Sequence, residues 1–201
     1  MDIQLSNKYT KNERHMEILM IFLIHSGNTN GQAFFGNFQS IVFGYGFALM
    51  IGILVSGNVS GGHLNPAVTL AMAVLRKCSW IQVPIYMLAQ YLGAFLAAAV
   101  LYGIYADGIN AMGGKVDGTA GIFASYPHGT GWEPSSVTLA FDQILGTALL
   151  LIIILAVTDA KNMNVSSGLV PLLIGLGLAA IHNSFGLNAG SAINPARDFS
   201  P

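Results

Sequence analysis

The chain has 201 residues, 53% of them hydrophobic and only 8% charged, with a formal net charge of −1 and a mean hydropathy of +0.60. Soluble domains carry about 25% charged residues, so water alone cannot cover this surface and lipid must cover much of it. Near-neutral charge gives no reason to expect nucleic acid or an anionic surface as partner, and the single cysteine, Cys78, excludes an internal disulfide.

In chain order, Met1–Arg14 is polar and carries Lys8, Lys11 and Arg14. No small-residue cleavage site follows, so no signal peptide is expected. Met16–Ile24 is apolar but well short of the ~20 residues a crossing needs, which makes it a thin first span. Phe38–Ser56 is a full span. The glycine-bearing stretch Gly57–Leu64 then leads to Asn65-Pro66-Ala67, and Pro66–Leu75 is apolar but too short to cross. Arg76-Lys77 ends it, and Ile81–Tyr105 is the next long apolar run. Asp107–Glu133 is a polar, glycine-rich connection, Val137–Val157 spans again, Asp159–Ser167 turns, and Gly168–Phe185 is the fifth candidate span. A second Asn194-Pro195-Ala196 follows before Pro201.

The two triplets organise this pattern. Asn is a favoured N-cap and Pro is favoured at the first helical position, where its missing N–H is no loss. Each triplet therefore starts a helix, and Pro66–Leu75 reads as a re-entrant half-helix. With a cytoplasmic N-terminus and five crossings, Lys8, Lys11, Arg14, Arg76, Lys77 and Lys161 fall inside and Lys115 alone outside, as the positive-inside rule requires. The same topology puts the sequons at Asn58 and Asn164 on the cytoplasmic side, so neither is expected to carry glycan.

The triplets then enter from opposite faces, which makes an all-α, inverted-repeat membrane bundle with two re-entrant half-helices. Residues 1–15 form a tail and 16–201 the bundle, with a first repeat over about 16–105 and an incomplete second over about 135–201. A sixth crossing is expected beyond Pro201.

Irregular backbone at membrane depth is tolerated where it lines a cavity or is buried in protein. Glycines 57, 61, 62, 186 and 190 are expected to mark such backbone, its freed carbonyls accepting hydrogen bonds from hydroxyl-bearing solutes. Asn65 and Asn194 would donate side-chain N–H at the midpoint. Both helix N-termini also point there, each with about half a positive charge. Arg197 is the one intramembrane cation, and a charge at that depth is by default functional. Asp198 is placed to hold the neighbouring loop and to offset part of that charge.

Both Asn-Pro-Ala boxes, Ser60-Gly-Gly-His-Leu before the first and Arg197-Asp198 after the second resemble the major intrinsic protein family, and within it the aquaglyceroporins. The similarity runs from about Phe43 to Pro201 and includes the loop Gly118–Pro127. Aquaporin-type pores are the type case of exclusion by half-helix dipoles, so that effect is carried over with the resemblance. Carried over by spacing, the resemblance implies a selectivity filter of Tyr45, His182, Ser191 and Arg197. It implies Asp198 as the marker of glycerol-conducting members, and a carbonyl ladder of Gly61, Gly62, His63, Gly190, Ser191 and Ala192. It also implies a homotetramer, with one pore in each subunit.

The expected function is a passive channel for glycerol, other small neutral solutes and water. It excludes ions and protons, sits as a multi-pass protein in the plasma membrane, and uses neither catalysis, cofactor nor metal. One departure is His182, where glycerol channels usually carry a small residue and water-selective members carry His; a water-selective pore is the alternative. A second alternative is a non-conducting short isoform that modulates full-length channels. The blander readings are a satisfied core histidine for His182 and an interfacial aromatic for Tyr45. His63 is expected to offer backbone more than imidazole, though its protonation near pH 6 is a possible way to tune the cytoplasmic vestibule. Glu17 and Asp142 are expected to bond loop backbone, and Tyr91, Phe95 and Leu101 to pack. An intramembrane enzyme is the weakest reading, because His63, His182 and Asp198 have no metal-like or triad-like spacing.

Overall fold

The computed structural model describes residues 38–111, 120–127 and 132–201, and the first span, with Glu17, lies outside them. The elements are α1 (Phe38–Ser60), α2 (Pro66–Val74), α3 (Gln82–Ala111), a 3₁₀ turn (Ala120–Ile122), α4 (Ser136–Thr158), α5 (Val170–Phe185) and α6 (Pro195–Phe199). By length and composition α1, α3 up to Asn110 and α4 can each cross a membrane, and α5 is a shorter apolar helix. Large apolar side chains stand exposed along α3 and α4, among them Leu88, Phe95, Phe141 and Ile144. Water would penalise that surface, and lipid or another subunit would not.

The helix starts follow from their sequences. Asn65 caps α2, accepting from the Ala67 amide at 2.9 Å, with Pro66 in the first turn. Ser135 caps α4 through the Thr138 amide at 3.2 Å. α2 stops in a Schellman motif, with Lys77 N–H on the Met72 carbonyl at 2.8 Å and Arg76 N–H on that of Ala73 at 3.0 Å. Arg76 holds the left-handed position, at φ 58°. The expected end of the half-helix at Arg76-Lys77 thus has a backbone mechanism.

α1 and α5 make the most extensive helix–helix contact. A Cβ on Gly46 would lie 2.6 Å from the Gly175 carbonyl oxygen, and one on Gly175 would lie 2.5 Å from that of Gly46. Two hydrogens let the backbones touch, which is how membrane helices gain van der Waals contact without a hydrophobic drive. Around this crossing a core gathers Leu49, Ile53, Leu64, Val68, Leu150 and Ile174.

Two expectations change here. Gly57 is helical, and Asn58 lies in the last turn of α1 rather than in a pore loop, because α1 persists to Ser60. The close approach belongs to Gly62 of the returning chain, whose Cβ would meet the Gly57 Cα at 3.3 Å, whereas a Cβ on Gly57 would stand 3.6 Å from Ile53 Cγ2. Gly186 likewise keeps helical backbone, with φ −76°. Left-handed backbone begins at Gly61 (φ 83°) and Gly62 (φ 62°) and returns at Gly190 (φ 66°). Gly62→Ala combines that conformation with a crowded Cβ. It should destabilise the protein by about 1–2 kcal/mol or more, read as a lower thermal midpoint in detergent, and an unchanged midpoint contradicts the assignment.

Candidate functional site

Two irregular loops, 61–64 and 190–193, run into α2 and α6 and meet through their asparagines. Asn65 Nδ2 donates to the Ile193 carbonyl at 2.9 Å, and Asn194 Nδ2 donates to the Leu64 carbonyl at 2.9 Å. Each Oδ1 turns back to cap its own helix, on Ala67 N for Asn65 and on Ala196 N (3.1 Å) for Asn194. An Asn amide has two N–H donors. Each therefore fastens one loop to the other with one N–H and keeps the second. Pro at the following position removes a donor that would otherwise compete for the same oxygen.

Both asparagines line one cavity of about 270 Å³. Its apolar wall includes Leu49, Ile53, Val68, Ile154 and Ile174, and its polar edge includes Gly61, Gly62, His63, Gly190 and Ser191. Among the described residues no donor takes up the carbonyls of 61–63 or 190–192. Ala192, expected in the ladder, is not among the cavity's lining residues. The cavity lining thus combines apolar side chains with backbone acceptors that no described donor takes up.

Tyr45, His182, Ser191 and Arg197 also line it, all of them buried. Arg197 Nη2 donates to Tyr45 Oη at 2.6 Å, and its Cζ lies 5.5 Å from that ring's centroid. The His182 ring stacks on Tyr45 at 5.0 Å and 17°. His182 Nδ1 sits 3.1 Å from the Leu178 carbonyl, which can only accept, so Nδ1 carries the hydrogen and Nε2 of the neutral ring is an acceptor. The side chain is fixed flat against Tyr45. Ser191 takes a left-handed conformation (φ 56°), and its hydroxyl is buried with no hydrogen-bond partner among the described residues.

Asp198 accepts from Arg197 Nη1 at 2.9 Å and from the Ser125 amide at 2.6 Å, so it both offsets the charge and holds the loop. Ser125 also accepts from Arg197 Nη1 at 2.8 Å. Asp142, expected on loop backbone, has among the described residues the neighbouring Gln143 amide as its partner, at 3.5 Å.

Sequence reasoning missed a support beneath the first box. Gln90, wholly buried on α3, donates to Thr69 Oγ1 at 2.9 Å, and Thr69 donates to the Asn65 carbonyl at 3.1 Å. The Thr69 hydrogen is thereby used, so His63 Nδ1, 3.3 Å away, is the donor toward it. A Gln in the middle of an apolar run was the available signal.

The sequence matches the family model described as Major intrinsic protein over residues 12–201. It is 45% identical to human Aquaporin-9 over 174 residues, covering 83% of this chain and 58% of that protein. It is 48% identical to Aquaglyceroporin-2 of Rhizophagus irregularis over 174 residues, covering 83% and 54% respectively. The chain thus spans somewhat more than half the length of these relatives. Its structure superposes on the X-ray structure of the aquaglyceroporin from Plasmodium falciparum with a TM-score of 0.81, at 29% identity, over 94% of this chain and 78% of that one.

Proposed function

The chain belongs to the major intrinsic protein family, and on that footing we propose that it is a passive channel for glycerol, other small neutral solutes and water. Members of the family are channels, not enzymes. The observation that carries the proposal is a cavity whose lining includes Asn65, Asn194 and Arg197 together. A polyol presents both carbon and hydroxyls, which suits a lining that offers both apolar side chains and backbone acceptors. A neutral solute exchanges water for the spare Asn N–H groups and the carbonyls. A cation meets two helix N-termini and a guanidinium.

The filter roles of Tyr45, His182, Ser191 and Arg197 belong to this proposal, as does the ladder at 61–63, 190 and 191. So do the plasma membrane, the cytoplasmic N-terminus and the homotetramer. The distribution of Lys and Arg supports the orientation, and the exposed apolar side chains of α3 and α4 support lipid or subunit contact. The residue 1–15 tail and the 16–201 channel domain are likewise retained.

Uptake of labelled glycerol into oocytes expressing the protein is expected to exceed that of uninjected cells and to rise linearly with concentration, as diffusion through a pore does. Osmotic swelling without glycerol uptake would instead favour the water-selective reading. Protein at the surface that moves neither solute would favour the modulating isoform. His182→Ala removes the flat ring and its Nε2 acceptor. Glycerol uptake relative to water is expected to rise several-fold in this variant, and an unchanged ratio removes His182 from the filter.

A further inference from the structure

Arg197 is held by groups on three separate elements. A guanidinium has five N–H donors in a fixed plane. Both Nη1 hydrogens are taken, one by Ser125 Oγ at 2.8 Å and one by Asp198 Oδ1 at 2.9 Å, and one Nη2 hydrogen by Tyr45 Oη at 2.6 Å. The remaining Nη2 hydrogen and the Nε hydrogen are the donors left for solute. Ser125 acts twice in this cluster, because its amide N–H also donates to Asp198 Oδ1 at 2.6 Å. Ser125, Asp198 and Nη1 therefore close a hydrogen-bonded ring that fixes the plane of the guanidinium.

From this ring we infer that Ser125, in the connection between α3 and α4, is a positioning residue for the filter. Its hydroxyl sets how Arg197 faces the cavity and how many N–H groups it offers there. This rests on the channel reading of the cavity. Without the hydroxyl, a buried Nη1 hydrogen has no acceptor. Leaving a charged donor unpaired is costly, and rotation toward the cavity relieves it. The guanidinium then leans into the solute path, and glycerol, being larger, is slowed more than water. Threonine keeps an acceptor at the same place.

The test reads Arg197 directly, without relying on transport. Purified protein in detergent is treated with phenylglyoxal, an arginine reagent, and adducts are followed by mass spectrometry, with the exposed Arg76 as internal standard. In Ser125→Ala the Arg197:Arg76 modification ratio is expected to rise several-fold, and in Ser125→Thr to return to the wild-type value. Ser125→Cys, which keeps the volume and weakens the acceptor, gives the same contrast if the alanine variant does not fold. In liposomes the alanine variant is expected to lose glycerol flux more than water flux, with threonine restoring the ratio. Equal Arg197 reactivity in wild type and Ser125→Ala overturns the inference. So does a threonine variant as reactive as the alanine one, because the hydroxyl is then irrelevant. If wild-type liposomes pass no glycerol, the channel reading fails, while the modification ratio still judges the clamp.

Discussion

In the proposed channel, Arg197→Val is expected to admit cations. At about 5 Å and an effective dielectric constant of about 20, one positive charge opposes another by roughly 3 kcal/mol, about a hundredfold in occupancy. Removing the guanidinium deletes that barrier and also leaves Asp198 without its cation. The carboxylate, about 30% exposed, then presents negative charge beside the cavity, so the local potential changes sign. Tyr45 Oη and Ser125 Oγ lose their donor together, which loosens the filter and the loop. The measurement is cation conductance in planar bilayers beside glycerol flux in vesicles. Conductance as low as wild type, in protein that still folds, would mean that the two helix ends alone exclude ions.

The second large effect comes from helix packing rather than from a polar group. Gly46→Ala is expected to remove most folded protein, although it adds one methyl group. The new Cβ would meet not only the Gly175 carbonyl but also the Ala179 Cβ, at 3.0 Å, and neither backbone nor Ala Cβ can swing aside. Separating α1 from α5 also moves Tyr45 away from His182, since these pairs sit on the same two helices. Overpacking ordinarily costs about 1–3 kcal/mol, and a backbone clash lies at or beyond the upper end. Gly177→Ala supplies the contrast, because its Cβ would meet flexible Ile153 side-chain atoms at 2.9 Å. Gly103→Ala has nothing within 4 Å and serves as the neutral control. Monodisperse yield after detergent extraction should fall in the order Gly103, Gly177, Gly46. Equal yields contradict the close crossing.

Much of this was legible in the sequence because the signals are local. Asn-Pro at a helix start has a mechanism within a few residues, and the structure shows both caps. Apolar runs of bilayer length became α1, α3 and α4 within a few residues of their expected bounds, except that α3 continues past a kink at Tyr105. Tyr45, His182, Ser191 and Arg197 were named through the resemblance, and the fold brings them together.

What was not legible depends on contacts between distant segments. Glycine has one letter and two uses. Gly61 and Gly62 supply left-handed backbone, whereas Gly186 supplies an absent side chain, and only the packing separates the cases. Ser125 is a small polar residue in a polar loop, with no periodicity to single it out, and its meaning comes from Arg197, 72 positions away. The mutual anchoring of Asn65 and Asn194 is of the same kind. The sequence supplies two donors, and the fold shows that one N–H of each holds the opposite loop.

In the proposed channel these loops form a path open to neutral solutes and closed to charge. Its most direct test uses liposomes containing the purified protein and a pH-sensitive dye, with the membrane potential clamped. Stopped-flow records volume relaxation in a glycerol gradient and then dye response in a pH gradient. Glycerol relaxation is expected well above that of empty liposomes, with proton entry indistinguishable from them. Proton entry that rises with protein content, or glycerol relaxation no faster than in empty liposomes, contradicts it.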